Sequence, residues 1–371
     1  MTQRRPAEPG DPLEAIETPA LVVDLPALER NLDAMAAAVR GSGVRLRPHA
    51  KSHKCPDLAK LQMRRGAVGI CCQKTDEALA FIDAGIEDVL LTNEVIAVPK
   101  LDRLAAAALR ATVGLIADSA PGVELASAAA ARAGSTLDLY VEVDVGAGRC
   151  GVQPGAAGDL ALLATQSGSV RFAGLHCYHG AAQHLRSPQE RSAAIASARA
   201  KVEQALRSLA SRGVTCSIVT GAGTGTWRHE RDSGVWNELQ PGSYVFMDAD
   251  YARNTAAGDD LRFEHSLYVL ASVMSVPDAR RSICDAGLKA FSFDSGLPLV
   301  GDRFGVAYVK ASDEHGVLEA SADEASLQLG ERVRLIPGHC DPTVNLYDWI
   351  VGVRGSVVEC VWSVAARGAL G

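Results

Sequence analysis

The sequence predicts a (β/α)8 barrel of the TIM type over residues 25–260, followed over 261–371 by a smaller domain made mostly of strands. Three observations carry this reading. Eight short runs rich in Val, Ile and Leu punctuate the first part, Ala-rich stretches with helical spacing separate them, and the texture changes after about residue 260. A chain of 371 residues is long enough for two cores.

The first apolar run, ALVVD (20–24), falls outside the barrel count, so residues 1–24 are expected to pack on the C-terminal domain. Asp24 is placed to cap a helix, with Pro26 in its first turn and Leu28, Leu32, Met35 and Val39 as one apolar stripe. The eight barrel strands read VRLRP (44–48), VGICCQK (68–74), DVLLTN (88–93), TVGLIAD (112–118), LDLYVEVDV (137–145), RFAGLHCY (171–178), CSIVTG (216–221) and WNELQ (236–240). The stretches between them leave room for crossover helices, which suits a closed barrel better than an open doubly wound sheet. Ala-rich segments at 104–111 and 126–133 read as barrel helices, because alanine is the best helix former. Beyond residue 260, HSLYVLASVMSV, RRSICDAG, GVAYVKAS, GVLEAS, RVRLIP, DWIVGVRG and SVVECVWSV are closely spaced strands divided by turn residues.

Composition narrows the partners. Lys and Arg number 37 against 44 Asp and Glu, a formal net charge of −7. With no basic stripe, neither nucleic acid nor an anionic membrane surface is an expected partner. No apolar run approaches the roughly 20 residues of a membrane span. MTQRRPAEPGDPLEAIE has arginines but no apolar segment behind them, unlike a secretory signal. Nine scattered cysteines without a CxxC pair fit a reducing cytoplasm.

Four clusters could carry chemistry. RLRPHAKSHK (45–54) ends the first barrel strand, where barrels place catalytic groups, and makes Lys51 a candidate Schiff-base lysine. Arg45, Arg47, His49, His53 and Lys54 would crowd it with positive charge and favour its neutral amine; the alternative is a solvated basic turn. VTGAGTGTW (219–227) and LQPGSY (239–244) follow strands seven and eight, where barrels often bind phosphate, and offer Gly221, Gly223, Thr224, Gly225 and Ser243. IPGHCDPT (336–343), if extended, would point His339 and Asp341 to one side and Cys340 to the other, so that imidazole and carboxylate meet on a cation such as Mn2+ or Mg2+. A simple His–Asp hydrogen bond is the alternative. DVGAGRCG (144–151) and HCYHGAAQH (176–184) add Arg149, Tyr178, His179 and His184 at further strand ends.

These motifs, with TPALVVDLPALERNL, GICCQK, TNEV, ELQPGSYVFMDADY, DAGLK, DEHGV and VWSVAARG, resemble the D-threonine aldolase and 3-hydroxy-D-aspartate aldolase group from about residue 17 to the C-terminus. That group belongs to the alanine-racemase-like pyridoxal-phosphate enzymes. The resemblance implies retro-aldol cleavage of a D-3-hydroxy amino acid, D-threonine or 3-hydroxy-D-aspartate, to glycine and an aldehyde, with pyridoxal 5'-phosphate and a divalent cation. It implies Lys51 as the cofactor-binding lysine, Gln73, Arg149 and Tyr178 around the ring, and Thr224, Gly242, Ser243 and Tyr244 at the phosphate. It also implies His339 and Asp341 as metal ligands and His184 as the base, with His179, His53 or a water as alternatives. A homodimer is expected by the same resemblance. Gln240 stands where alanine racemases carry an arginine, and Asp341 where D-serine dehydratases carry cysteine, the nearest competing activity. A non-catalytic pyridoxal-phosphate carrier would need neither His339 nor Asp341. A second substrate carboxylate would call for a pocket from FSFDSGLP (291–298), Arg45, Arg47 or His53.

Overall fold

The computed structural model describes residues 4–371 apart from 257, 259, 260, 302, 323 and 324. After β1 (Ala20–Asp24), helix α1 (Leu25–Val39) starts where the Asp24 carboxylate accepts from the Ala27 N–H at 3.0 Å. Its Leu28, Leu32 and Met35 are buried against the barrel. Eight parallel strands follow, alternating with helices: β2 (Arg45–Leu46), α2 (Pro56–Arg64), β3 (Ile70–Cys72), α3 (Thr75–Asp83), β4 (Asp88–Glu94), α4 (Val98–Ala107), β5 (Thr112–Ala117) and α5 (Ala120–Ala133). Then come β6 (Leu137–Glu142), α6 (Ala157–Gln166), β7 (Val170–Cys177), α7 (Pro188–Ser211), β8 (Val219–Gly221), α8 (Trp227–Arg231) and β9 (Glu238–Leu239).

The strand order β2-β9-β8-β7-β6-β5-β4-β3 is that of a barrel. A bridge between His49 and Cys71 closes it, helped by Val68 N–H to Leu46 O at 2.9 Å and Cys71 N–H to Pro48 O at 2.8 Å. All eight expected strands are present; the first and last are paired over two residues each, cut short by Pro48 and Pro241. Inside the barrel, Cys71, Leu90, Ile116 and Tyr140 form one apolar cluster.

Arg45 and Arg47 lie at the opposite end from the strand C-termini, so neither crowds Lys51 nor meets a substrate carboxylate there. Buried Arg47 reaches Glu238 at 3.0 Å and Asp88 at 2.6 Å, while Arg45 reaches Glu238 at 2.8 Å. Arg45 begins β2 and Arg47 follows its end, and side chains two apart on an extended segment share a side. Gly69 makes room for this network, since a Cβ there would stand 2.3 Å from the Arg47 guanidinium.

Short α9 (Ala249–Ala252) leads to the second domain: β10 (Leu267–Asp278), β11 (Arg281–Cys284), β12 (Leu299–Val300), β13 (Val306–Ala311), β14 (Gly316–Ala320), β15 (Arg332–Ile336), α10 (Cys340–Val344), β16 (Trp349–Arg354) and β17 (Val357–Ser363). Its main sheet runs β13-β14-β11-β10-β1-β16-β17. The N-terminal β1 is therefore an interior strand, antiparallel to β10 with Ala20 opposite Leu270, and parallel to β16 with Val22 opposite Val351. Ile16, Ala20, Val22, Leu270, Val351 and Val358 cluster on one face. Among the described residues no helix is long and apolar enough to cross a membrane.

The segment expected to be extended at 336–343 is not. His339 has extended dihedrals, but it is the N-cap of α10, and Asp341 lies in that helix's first turn. Pro337 and Gly338 end β15, Pro342 suits a first helical turn, and the Thr343 hydroxyl donates to His339 O at 2.8 Å. Alternation along a strand therefore does not relate His339 to Asp341.

Candidate active site

A cavity of about 400 Å³ opens at the C-terminal ends of the barrel strands, where α10 packs on the turn Ala50–Ser52 after β2. Lys51, from that turn, points into it, its side chain 45 % accessible, and its Nζ lies 3.1 Å from Asp341 Oδ2. An ion pair between the two domains thus stands in the cavity. The Asp341 charge raises the lysine pKa, against the opposing effect of burial. Burial resists ionisation of Asp341 too, but Lys51 and then His339 outweigh it and hold the carboxyl at about 2.

This corrects the expected electrostatics of Lys51: an acid faces it, in place of a crowd of cations. His53 is buried edge-on to Phe81, and burial pulls its pKa to about 4. Lys54 donates to Asn345 Oδ1 at 2.8 Å. His49 does line the cavity, but burial and then Lys51 push its pKa well down; its Nε2 meets the Thr92 hydroxyl at 3.0 Å.

The glycine-rich turn after β8 forms another wall. Ala222 sits at φ 70, a left-handed backbone that non-glycine residues adopt rarely. A Cβ on Gly223 would stand 2.6 Å from Gln183 Oε1, the atom that accepts from the Gly225 N–H at 2.9 Å. Thr224, Gly242 and Ser243 line the cavity. The Tyr244 ring is buried in the core and its hydroxyl accepts from Gln62 at 3.1 Å. Only its backbone serves this region, donating to Thr224 Oγ1 at 3.0 Å.

Gln73, Arg149, Tyr178 and His184 also line the cavity. The Arg149 guanidinium lies 5.8 Å from the centre of the Tyr178 ring and 3.8 Å from Glu142. Gln73 donates to Thr92 O at 3.0 Å. His184 Nδ1 lies 2.6 Å from Asp250 Oδ2, and its ring leans on Tyr251 at 5.6 Å. His179 and His53 are not among the lining residues; His179 packs against Gly146. On the floor, Gln240 joins a buried chain: Glu142 to His176 at 3.0 Å, His176 to Gln240 at 3.2 Å and Gln240 to Thr220 at 2.7 Å.

Asp341 lines the cavity and His339 is not among its lining residues; the His339 Nδ1 lies 2.7 Å from Asp294 Oδ2. Burial would raise the Asp294 pKa, yet hydrogen bonds from His339 and Ser292 keep it below the usual carboxylate range. Among the described residues no group of three or more His, Cys, Asp or Glu is arranged to hold a metal ion. The sequence reading had not singled out Asp250, Tyr251, Thr92, His176 or Asp294. Asp250 and Tyr251 stand in MDADY, whose acid-aromatic pair was the available signal. A neighbouring cavity of about 590 Å³ shares Thr224 and Tyr251 but has neither Lys51 nor Asp341 on its walls.

Comparison with known proteins identifies the family. The family described as "Alanine racemase, N-terminal domain" matches residues 23–250, and that described as "Putative serine dehydratase domain" matches residues 266–353. The chain is 46 % identical over 370 residues to the 3-hydroxy-D-aspartate aldolase of Paracoccus denitrificans (strain Pd 1222), covering 98 % of this chain and 95 % of that protein. It is 46 % identical over 364 residues to a D-threonine aldolase of Arthrobacter sp., covering 98 % and 96 %. The crystal structure of D-threonine aldolase from Filomicrobium marinum superposes with a TM-score of 0.97 at 49 % identity, over 99 % of this chain and 100 % of that one. Full-length similarity of this degree, on a barrel whose lysine meets an acid from the second domain, places the chain in the D-threonine aldolase and 3-hydroxy-D-aspartate aldolase group, carbon–carbon lyases of the alanine-racemase-like family.

Proposed function

We propose that this protein cleaves a D-3-hydroxy amino acid between Cα and Cβ, releasing glycine and an aldehyde. The observation that carries the reading is the approach of Lys51 to Asp341, 3.1 Å apart in a cavity that His184 also lines.

The family implies pyridoxal 5'-phosphate, and the cavity fits it. Lys51 is an accessible primary amine, Tyr178 and Arg149 offer an aromatic face and a cation, and the turns at 222–225 and 242–243 form a cradle. Cβ atoms at Gly223 and Gly242 would collide with neighbours at 2.6 and 2.9 Å. When bound, the cofactor supplies the electron sink for the carbon left by bond cleavage. Lys51 would hold it through its amine, and that amine, once released, would serve as a proton donor in the cavity.

His184 takes the proton of the substrate hydroxyl. A carboxylate can only accept, so Asp250 fixes the proton on Nδ1 and leaves Nε2 as the basic atom. Asp341 and His339 would hold Mn2+ or Mg2+, which lowers the hydroxyl pKa as a Lewis acid. An imidazole and a carboxylate are fitting donors, and two protein ligands leave positions for water and substrate. A cofactor held by Lys51 would leave the Asp341 carboxylate to the cation.

The cavity favours a neutral β-substituent, hence D-threonine over 3-hydroxy-D-aspartate. Arg45, Arg47 and His53 do not line it; of the Lys and Arg side chains that do, Lys51 faces Asp341 and Arg149 faces Glu142. Cleavage of both substrates, with and without chelator, tests the reading through glycine, acetaldehyde and glyoxylate. The expected result is metal-dependent glycine release with a higher kcat/KM for D-threonine. Pyruvate or oxaloacetate with ammonia, and no glycine, would make it a dehydratase, a reading that Asp341 in place of cysteine disfavours. The nine free cysteines support a reducing compartment.

A further inference from the structure

The segment FSFDSGLP (291–298) finds no place in the scheme above, yet it lies directly behind the proposed cation site. Asp294 sits 2.7 Å from His339 Nδ1 across 45 residues of sequence. Its carboxylate is held from other sides as well, by the Ser292 hydroxyl at 2.7 Å and the Ser295 hydroxyl at 3.2 Å. The two loops are locked together. A Cβ on Gly338 would lie 2.5 Å from Gly296 O, so only glycine permits that approach. The Ser292 N–H donates to Thr343 Oγ1 at 3.2 Å, and that hydroxyl donates to His339 O at 2.8 Å.

This geometry decides which ring nitrogen can bind a cation. An ionised carboxylate has only acceptor sites, so the Asp294 bond puts the imidazole proton on Nδ1 and leaves the Nε2 lone pair free. No described residue is hydrogen-bonded to Nε2. We infer that Asp294 is a positioning residue for the divalent cation: it sets the tautomer and direction of His339 so that Nε2, together with Asp341, forms the protein's half of the coordination sphere. The inference rests on the metal dependence proposed above. It makes FSFDSGLP a support for the metal, in place of the substrate-carboxylate pocket the sequence had offered.

The test is Mn2+ binding to the cofactor-loaded protein, read from the paramagnetic resonance of free Mn2+, for wild type, Asp294→Ala and the isosteric Asp294→Asn. Loss of a carboxylate behind a ligating histidine weakens metal binding about 10- to 100-fold. That weakening is expected in both variants, with unchanged cofactor absorbance and with kcat recovering toward wild type at saturating Mn2+. Equal Mn2+ affinity in wild type and both variants would overturn the role of Asp294. Failure of Mn2+ to restore kcat in either variant would make Asp294 more than a positioning group and overturn it too. A wild-type protein that binds no Mn2+ would instead sink the metal dependence itself, and the positioning role with it.

Discussion

At the level of single residues, the site depends on Lys51 and Asp341 arriving from different domains. Their separate duties predict separable losses. Lys51→Ala should abolish the visible absorbance of lysine-bound cofactor along with cleavage. His339→Ala should keep that absorbance while kcat falls by orders of magnitude, as removal of a Lewis acid's ligand demands. Absorbance spectra and steady-state rates of the purified variants check both, and normal turnover by His339→Ala would end the role given to the cation. Sequence reasoning found most of the side chains that line this cavity, because motifs at strand ends point to one rim. It missed the partners that tune them, Asp250 and Asp294, because a hydrogen bond across 66 or 45 residues leaves no local pattern. It set Tyr244 at the phosphate without saying which of its atoms would serve, since a motif cannot tell which way a buried ring turns.

At the level of elements, hydrophobic periodicity located all eight barrel strands, and the error fell on the segment where punctuation outweighs periodicity. Between Pro337 and Pro342 the chain makes a turn and a short helix, so a two-residue repeat has no meaning there. The short helix α8 offers a different check. Its Glu230 is buried, with one oxygen accepting from the Thr226 hydroxyl at 2.7 Å and the other without a hydrogen-bond partner. Burial pushes its pKa from 4.5 to about 7. The folded protein thus holds this proton more tightly than the unfolded chain. The stability it contributes is present below pH 4.5 and lost as the pH rises through about 7. Glu230→Gln removes that loss, so the variant should exceed wild type in stability at pH 8 by up to about 3 kcal/mol. At pH 4 the two should be nearly equal. Thermal melts at both values measure the difference, and equal pH dependence in the two proteins would refute the assignment.

For the whole molecule, the sequence made the two-part architecture legible through its change of texture, but not the order of strands in the second sheet, which depends on pairing between distant segments. That sheet also leaves Leu297, Leu299 and Phe304 exposed around β12. Large apolar groups at the surface of one domain are what a second copy would cover. The expected homodimer should therefore sediment at twice the chain mass of 38.9 kDa, and Phe304→Glu should shift it toward monomer. A wild-type species of single chain mass at micromolar concentration would remove the dimer from consideration.

The position of β1 has a consequence for how the polypeptide is made. Residues 20–24 leave the ribosome long before their hydrogen-bonding neighbours, residues 267–270 and 351–353. Throughout synthesis of the barrel, a sticky Leu-Val-Val stretch must wait without its mates. The strand is seated on both sides only once residues 351–353 have been made, and in that interval the nascent chain is most open to wrong partners.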